Sequence, residues 1–531
     1  MLGRFLELSW FSHRPVAPQR HDTLPWEHDS AFMKNVVLIE LNEVPFKVID
    51  YFCRNRPASV TSAVLERSSQ FTTICEDRVE LDPWISWPTL HRGVNDHEHG
   101  IYHLGQILTE ADRCFPPLWR ILADHGRRVG VFGSVHSNQI PPSLENYDFY
   151  VPDFFDDRAF AHPGYLIAFQ RFNLGMTRRS ARNVDTSVPW RLAVDFLSSL
   201  PKLGLSPRTA RSMVRQIIDE RREPRLRIRR RSLQSVLMSD VFLSLLKSRR
   251  PQLATFYTNH VAASMHRYWN AAFPEDDPSS PMPEQWRRNY APEILEAMAS
   301  FDQILGQLKA WADARRDTVI MVASSMGQHA VKHNQTKGGF TIRNMDKFMA
   351  AMGIEPSQYR LRPAMSPCSG VVVDSTVKAL LKSKLDLFSI AGKRFVESDR
   401  EVYPLSYGIY ENNFFSFFTY FENFTGEQTA LIGNQRLPFE DIGFAFFAHE
   451  DGVAVTAHHH KEGALFVYDP EAMPIDQRRL SVSTTEIAPA LLEHFGVRPP
   501  HYMSQPTGLV RAALTPSKDD AQTLGERRLA G

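Results

Sequence analysis

The sequence predicts an α/β fold in which a mostly parallel sheet is covered by helices on both faces. Five short apolar runs are bounded by polar or turn residues, as expected for strands buried on both faces: 36–41, 129–135, 254–258, 319–323 and 464–468. Helical patterns separate them, with "PPLWRILADHG" before the second run and "YAPEILEAMASFDQILGQLKAWADA" before the fourth. This alternation predicts a three-layer α/β/α sandwich whose functional groups lie at the carboxyl ends of the strands.

Two segments interrupt this alternation. Residues 155–250 look helical and basic, with ten arginines between Arg208 and Arg231, and are predicted to form a cap inserted over the strand ends. Residues 405–456 are rich in Phe and Tyr, which predicts a small antiparallel β insertion. The remaining predicted parts are a disordered extension at 1–32, core parts at 33–154, 251–404 and 457–512, and a disordered tail at 513–531.

Composition excludes several classes of protein. The chain has 531 residues, 43% hydrophobic and 23% charged, which is ordinary for a soluble globular protein, and its net charge of +1 predicts no specific nucleic-acid partner. Four cysteines lie far apart without a CxxC pair, which argues against a zinc ribbon and against a disulfide framework. A reducing, cytoplasmic location is the simplest interpretation. The arginines at 208–231 could attract a polyanionic substrate or an anionic membrane surface, or could be a solvated helical face.

Polar side chains follow the first run and occupy a later turn. Glu43, in "IELNEV", is a candidate base or metal ligand, although a helix cap is the alternative. Ser86 and Thr89, in "LDPWISWPTLHRG", are hydroxyls close to a predicted helix N-terminus, where backbone N–H groups favour an anion. Either is a candidate nucleophile, with Thr89 favoured, and helix capping is again the alternative.

Histidines follow the third run and precede the fifth. His260 and His266 lie six residues apart in "TNHVAASMHRYW", and His459 is the centre of a run of three. Neutral imidazole is a common metal ligand, but spacing alone also allows packed surface histidines or a polar turn. The fourth run ends in "SSMGQ", where Ser325 and Met326 occupy a turn typical of a site without offering an acid, a base or a good metal ligand.

Six segments taken in order resemble the alkaline phosphatase superfamily, nearest the type I phosphodiesterase and nucleotide pyrophosphatase branch. They are "NVVLIELNEVP", "WPTLHRGVNDHEHGI", "TNHVAASMHRYW", "TVIMVASSMGQ", "HHHKEGALFV" and "STTEIAPALLEHFGVRPPHYM". The resemblance implies two metal ions that clamp a phosphate or sulfate ester around a Thr or Ser nucleophile. It covers roughly residues 34–150, 250–350 and 440–510.

When the family's ligand positions are matched to this sequence, suitable ligands are found for one metal and not for the other. His266 and His459 match the two histidines of the first metal. The motif aspartate of that metal falls on Ala262, so that Asn259 or His260 would have to replace it. The second metal's ligands fall on Asn42, Ser325 and Met326, none of which is charged, unless Glu40 or Glu43 substitutes.

Two functions therefore remain open from the sequence. One is a phosphoester or phosphodiester hydrolase, or a related transferase, that uses at most about one divalent ion, expected to be zinc. Its substrate would be an anionic phosphorylated small molecule or a glycan- or lipid-linked phosphate. The other is a pseudoenzyme that keeps the fold and binds an anionic ligand or a partner protein.

Overall fold

The computed structural model describes residues 33–78, 81–154, 159–180, 203–331, 338–362, 368–398, 404–419, 424, 426–448 and 455–515. Its strands are β1 (Asn35–Leu41), β2 (Ser68–Ile74), β3 (Val129–Phe132), β4 (Tyr147–Val151), β5 (Leu253–Thr258), β6 (Thr318–Ala323), β7 (Gly327–Ala330), β8 (Gly338–Ile342), β9 (Tyr359–Arg362), β10 (Cys368–Val373), β11 (Phe388–Ile390), β12 (Lys393–Arg394), β13 (Val396–Glu397), β14 (Leu405–Tyr410), β15 (Phe414–Thr419), β16 (Thr429–Ile432), β17 (Gln435–Pro438), β18 (Phe444–Ala448), β19 (Ala457–His460), β20 (Glu462–Tyr468) and β21 (Leu480–Ser483).

The central sheet of the described residues has eight strands in the order β21-β2-β20-β6-β1-β5-β3-β4. The strands from β6 to β4 are parallel to one another, and β20 runs antiparallel to both of its neighbours. Every residue of β5 and of β6 is buried, as their continuous apolar sequences predict for strands covered on both faces. The parallel strands bring their carboxyl ends to one edge of the sheet.

Helices cover both faces of this sheet. The α-helices are Phe46–Asn55, Val60–Glu66, Pro83–Arg92, Asp96–His99, Thr109–Cys114, Leu118–Asp124, Ile167–Ser180, Pro207–Arg222, Arg230–Arg249, His260–Ala272, Glu284–Tyr290, Glu293–Arg315, Met345–Ala351, Ser375–Asp386, Ile487–His494 and Leu509–Leu514. One layer is centred on Glu293–Arg315, which packs against Arg230–Arg249 and His260–Ala272. The other contains Pro83–Arg92 and Ile487–His494. The predicted three-layer α/β/α sandwich with a mostly parallel sheet is confirmed.

A second apolar core lies outside the central sheet. It collects buried residues between Phe340 and Phe444, and its strands form a five-stranded and a four-stranded sheet within the described part of the chain. The ladders between β10, β14 and β15 are antiparallel, and Phe415 and Phe417 of β15 are fully buried. The antiparallel unit therefore begins well before residue 405, where the sequence analysis placed its start.

The basic segment is not uniformly an insertion apart from the core. Helix Arg230–Arg249 buries Val241, Phe242 and Leu245 in the main apolar cluster and packs on the sheet face, so this helix belongs to a core layer. The predicted extension at 1–32 and nearly all of the predicted tail lie outside the described residues. Among the helices that the structure describes, none combines the length and the apolar character needed to span a bilayer.

Candidate metal centre

The carboxyl ends of three neighbouring parallel strands meet at the candidate site. Asn42 and Glu43 follow β1, Asn259 follows β5, and Ser325 and Met326 follow β6. The short strands β7 and β19 pair beside this edge, and their register sets His459 opposite Gln328. Directly opposed residues of an antiparallel pair point to the same face, so both side chains reach the same place.

Glu43, His266 and His459 form a compact cluster, called here the charged half-site. One ligand atom from each residue lies within 4.8 Å of the others. Glu43 Oε2 is 2.9 Å from His266 Nε2 and 3.5 Å from His459 Nε2. The structure thus brings together His266 and His459, which are almost two hundred residues apart in the chain, together with Glu43.

Both imidazole rings of the charged half-site are fixed by backbone carbonyls. His266 Nδ1 donates to the carbonyl oxygen of Ala457 over 2.9 Å, and His459 Nδ1 donates to the carbonyl oxygen of Leu81. Because a carbonyl only accepts, each Nδ1 carries a proton, and a neutral ring then has its lone pair on Nε2. Both Nε2 atoms face the same carboxylate oxygen, which is the arrangement expected of histidine metal ligands held from behind.

The Glu43 carboxylate is held by two amides. Asn42 Nδ2 donates to Oε1 over 2.6 Å, and Gln328 Nε2 donates to Oε2. The Glu43 backbone has a φ of 59°, in the left-handed region that a residue with a long side chain rarely adopts. Such a conformation costs about 1–3 kcal/mol and persists where surrounding contacts enforce it, as at functional sites.

Charge and burial oppose each other within the charged half-site. Burial would raise the pKa of Glu43, but the imidazoles of His459 and His266 outweigh it and lower that pKa to about 2. Burial would lower the pKa of His266, but the Glu43 carboxylate outweighs it, so the pKa of His266 is raised. For His459 burial dominates and the pKa falls to about 4. In the absence of a metal ion, the Glu43 carboxylate therefore favours the protonated form of His266, and burial favours the neutral form of His459.

The three side chains differ in their access to solvent. The side chain of His266 is 28% exposed, that of His459 is 10% exposed and that of Glu43 is 3% exposed. Of the three ligand side chains, that of His266 is thus the most exposed and that of Glu43 the most buried.

Asn42, Ser325 and Met326 form the neutral half-site, and all three are buried. Asn42 Oδ1 accepts from Trp87 Nε1 over 2.7 Å, and Asn42 Nδ2 donates to Asn259 Oδ1 over 2.8 Å as well as to Glu43. Ser325 Oγ lies 2.8 Å from Ser86 Oγ. The polar atoms of Asn42 and Ser325 are thus engaged by protein groups.

The turn that carries Ser325 and Met326 is fixed by close backbone approach. Ser324 Oγ donates to the carbonyl oxygens of Leu41 and Val44, over 2.6 and 3.0 Å. A Cβ atom at Gly327 would lie 2.0 Å from the carbonyl oxygen of Glu462, and one at Gly463 would lie 2.8 Å from the carbonyl oxygen of Met326. The turn therefore keeps a defined geometry without charged ligands, which explains why the sequence looks like a site at this point.

The structure places the two candidate nucleophiles differently. Both hydroxyls lie on helix Pro83–Arg92 and are fully buried. Ser86 contacts Ser325 of the neutral half-site. Thr89 is 2.7 Å from Asp77 Oδ1 and 3.0 Å from His99 Nε2. Helical rise puts Ser86 about 4.5 Å and Thr89 about 9 Å along the axis from Pro83, the first residue of the helix.

His260 and Asn259 do not join the charged half-site. His260 Nδ1 is 2.7 Å from the Thr258 hydroxyl, and Nε2 is 3.1 Å from the carbonyl oxygen of Ala297. Burial lowers the pKa of His260 to about 4, so this ring is neutral and engaged at both nitrogens. Among the described residues, Asn259 contacts the site through Asn42 and is not one of the three grouped ligands. Their assignment as ligands stays a prediction that these contacts do not favour.

Asp82 and Gln328 were not identified from the sequence. Asp82 immediately precedes helix Pro83–Arg92, and its Oδ1 lies 3.4 Å from His459 Nδ1. Gln328 binds Glu43 and the carbonyl oxygen of Ala262. An Asp followed by Pro at a helix start is a detectable capping signal, whereas the role of Gln328 depends on the β7–β19 register.

Comparison with known proteins identifies the family of the chain. Residues 60–379 match the family model described as "Type I phosphodiesterase / nucleotide pyrophosphatase". This match spans more than half of the chain, which therefore belongs to that family, although Glu43 and His459 lie outside the matched residues. No curated protein matches the sequence.

Solved structures of low similarity are also found. Murine ectonucleotide pyrophosphatase / phosphodiesterase 5 has 11% identity and a TM-score of 0.38, with 89% of this chain and 98% of that chain covered. An inactive variant of the murine protein in complex with AMP has 10% identity and a TM-score of 0.36, with 89% and 97% covered. The human protein has 9% identity and a TM-score of 0.37, with 89% and 97% covered. The family assignment rests on the family model.

The family's two-metal chemistry fits one half of this site. The charged half-site offers one carboxylate oxygen and two imidazole nitrogens, a set found in zinc sites that keep an open position. The neutral half-site offers an amide, a hydroxyl and a thioether, which supply no negative charge for a hard divalent ion. Within the described residues, Glu43, His266 and His459 are the one group of this kind.

Proposed function

We propose that the chain hydrolyses a phosphoester or phosphodiester bond with a single divalent ion held by Glu43, His266 and His459. Zinc suits this donor set best. The observation that carries the proposal is the convergence of two Nε2 atoms on Glu43 Oε2 while both Nδ1 atoms bind backbone carbonyls. An ion held there would supply a Lewis acid that polarises a phosphoryl oxygen.

The protein groups around these ligands have positioning roles in the proposal. Asn42 and Gln328 fix the Glu43 carboxylate, so that its negative charge stays directed at the two rings. The Leu81 carbonyl and the Asp82 carboxylate lie behind His459 Nδ1 and keep Nε2 directed at the site. The more exposed side chain of His266 defines the side on which substrate binds.

Ser86 and Thr89 remain the two candidate nucleophiles, with complementary strengths. Ser86 lies closer to the helix start beside His459, but its hydroxyl has a neutral partner, Ser325. Thr89 has a base within reach, because its hydroxyl donates to Asp77, whose pKa is raised by burial. It is, however, three residues, about 4.5 Å of helical rise, further along the helix from the end that lies beside His459. The proposal favours Ser86 on position.

The proposed substrate class is an anionic phosphorylated small molecule. The family description, phosphodiesterase and nucleotide pyrophosphatase, supports this class. The ion held by Glu43, His266 and His459 would supply positive charge to phosphoryl oxygens. The described residues contain no second charged half-site, which predicts weak turnover, because the family's second ion balances charge on the other side of the displacement.

A pseudoenzyme that binds an anionic ligand is the second candidate. It is favoured by the neutral half-site, where Asn42 and Ser325 already bond to Trp87 and Ser86. In this alternative the charged half-site holds an ion or an anion without turnover. The two candidates share a ligand class and differ in whether a phosphodiester is cleaved.

The test compares metal content and hydrolysis in the same preparations. Purified protein would be assayed with bis-p-nitrophenyl phosphate and with a nucleoside 5′-diphosphate ester. Glu43→Gln and His459→Ala remove ligands, and His458→Ala, an exposed neighbour, is the matched control. The proposal requires that metal and activity are lost together in the first two variants and kept in the third. Stoichiometric metal without hydrolysis of any phosphoester would instead establish the pseudoenzyme.

Ser86→Ala and Thr89→Val then separate the two hydroxyls. Loss of turnover with metal retained identifies the nucleophile. If both variants keep full turnover, neither hydroxyl is the nucleophile.

A further inference from the structure

Helix Pro207–Arg222 turns its aliphatic residues away from the protein. Val214, Ile217 and Ile218 are 58%, 47% and 44% exposed, whereas Thr209 is fully buried and Glu220 is 6% exposed. Residues three and four apart are neighbours on a helix surface, so the three aliphatic side chains form one patch. A surface helix ordinarily does the reverse and turns its apolar stripe towards the core.

The inward face of this helix is held by polar contacts. The Glu220 carboxylate accepts from Arg230 Nε over 2.8 Å and Nη2 over 2.5 Å, and Gln216 Nε2 donates to the carbonyl oxygen of Leu226 over 2.7 Å. At the helix start, the Ser206 side chain accepts from the backbone N–H of Thr209. Rotating the aliphatic patch inwards would break these contacts and bury the arginines of the outer face. The outward orientation is therefore built into the fold.

Arginines surround the aliphatic patch. Five are exposed on this helix: Arg208, Arg211, Arg215, Arg221 and Arg222. Among the described residues none of these five guanidinium groups lies within 4.0 Å of a carboxylate, whereas Arg225, Arg229 and Arg230 nearby are paired with glutamates. Within the described part of the chain, the outward face thus combines arginines that have no carboxylate within 4.0 Å with exposed aliphatic surface.

We propose that this face, Arg208 to Arg222, binds the surface of an anionic lipid bilayer. The helix would lie in the plane of the interface, with Val214, Ile217 and Ile218 entering the boundary between headgroups and acyl chains. The flanking guanidinium groups would pair with lipid phosphates and other anionic headgroup atoms. Sixteen residues give the helix a length of about 24 Å, enough for several headgroup contacts.

The same features disfavour two other partners for this face, a second copy of the chain and a soluble polyanion. A two-fold contact between copies of the chain would set like-charged arginine faces against each other. A soluble polyanion would neutralise the arginines and leave the aliphatic patch in water. A bilayer of anionic lipids satisfies both components at once. This proposal does not depend on the catalytic proposal, because the face shares no residue with the charged half-site.

The experiment measures co-sedimentation of the full chain with vesicles of phosphatidylcholine alone and of phosphatidylcholine with 30% phosphatidylglycerol, at low and high salt. Two variants alter the face: V214S/I217S/I218S and R211Q/R215Q/R222Q. Two matched controls alter exposed residues elsewhere: L361S/L387S/V396S and R360Q/R394Q/R498Q. Melting temperatures and light scattering establish that each variant is folded and report its oligomeric state.

Wild-type protein and both controls should sediment with the anionic vesicles and not with the neutral ones. Each face variant should weaken that binding at least about tenfold, and high salt should act mainly on the arginine component. The proposal is overturned if wild-type protein fails to bind anionic vesicles or if the face variants bind as wild type does. It is also overturned if V214S/I217S/I218S converts a dimer into a monomer without a change in vesicle binding.

Discussion

The charged and neutral half-sites lie side by side at one sheet edge, and Asn42 and Glu43, which are consecutive, contribute one residue to each. In the charged half-site, two imidazoles present Nε2 to a carboxylate and are fixed from behind by carbonyls. In the neutral half-site, the polar atoms of Asn42 and Ser325 point at Trp87, Asn259 and Ser86. Both half-sites thus lie at strand ends, but they differ in the donor atoms that they offer to a metal ion.

This difference shows that neighbouring positions at one sheet edge can share a strand-end backbone and still offer different donor chemistry. The turn after β6 keeps its shape through Ser324, Gly327 and Gly463, none of which needs an ion. Side-chain hydrogen bonds then satisfy the buried polar groups that would otherwise be costly to leave unpaired. In the charged half-site, the Glu43 carboxylate lies beside the imidazole rings of His266 and His459, which are suited to coordinate a metal ion.

The largest expected effect comes from removing a ligand of the charged half-site. His459→Ala should weaken zinc binding on the order of 10³-fold, because one of three protein ligands is lost. The fold should persist, because His459 lies at the rim of the core on the short strand β19. Zinc titration with a competing chelator measures the change, and His458→Ala should bind as wild type does. An unchanged affinity in His459→Ala would remove this histidine from the site.

Restoring charge to the neutral half-site should be costly without metal. Ser325→Asp with Met326→His buries two ionisable groups where the native residues are inaccessible to solvent, which should destabilise the protein by about 3–5 kcal/mol. Zinc should recover part of that loss if the original geometry survives. Urea unfolding with and without zinc measures both effects. Ser325→Ala with Met326→Leu is the control and should show no response to zinc. A charged variant as stable as wild type in metal-free buffer would show that the neutral half-site is open to water.

Acid should weaken the surroundings of the neutral half-site. Burial lowers the pKa of His99 to about 2 and that of His136 to about 3, against 6.5 in the unfolded chain. His136 contacts the carbonyl oxygen of Trp84, and His99 contacts Thr89, so both support helix Pro83–Arg92. The other charged and titratable groups that act on the two rings are Arg92, His91, His97 and His103.

Between about pH 3 and 6.5, His99 and His136 bind protons in the unfolded state but not in the folded state. Stability is therefore complete above pH 6.5 and falls as the pH is lowered, by up to about 1.4 kcal/mol per pH unit for each ring. His136→Asn should reduce the dependence of the unfolding free energy on pH by the contribution of one proton. Asn is chosen because it tolerates the φ of 61° at this position. The control is His501→Asn, which makes the same substitution at an exposed ring. Equal slopes for wild type and His136→Asn would contradict the assignment.

The smallest expected effect concerns the link between Ser86 and Ser325. Ser86→Ala leaves the buried Ser325 hydroxyl without this partner and should cost about 1–2 kcal/mol of unfolding free energy. The double variant with Ser325→Ala should cost little more than either single variant, because both polar atoms are then absent. Thermal unfolding of the four proteins measures the coupling. Strict additivity would show that the two hydroxyls do not interact.

Sequence patterns predicted the parallel centre of the fold because strands such as β1 and β6 are continuous apolar runs. They missed β2, whose sequence SSQFTTI mixes polar with apolar residues although it is almost wholly buried between β20 and β21. The charge density before helix Arg230–Arg249 predicts that this helix belongs to the basic cap, whereas its apolar side is buried in the main core. Such long-range packing is not encoded in a local window.

Only part of the charged half-site could be predicted from the sequence, because some of its contacts form only in the folded chain. His266 and His459 matched motif positions, whereas Glu43 reaches them through a left-handed backbone conformation that no periodicity reveals. Gln328 and Asp82 act through partners distant in the chain, so their roles appear only in three dimensions. His260, in contrast, carried the same residue type as a ligand but is engaged by Thr258 and Ala297.

The most direct test of the difference between the half-sites is the metal content of the native protein, measured by elemental analysis after dialysis against metal-free buffer. The charged half-site predicts about one divalent ion per chain, lost in His459→Ala and in Glu43→Gln and kept in His458→Ala. Two tightly held ions per chain would contradict the neutral character of Asn42, Ser325 and Met326. A native protein without any ion, and without affinity for added zinc, would contradict the metal centre itself.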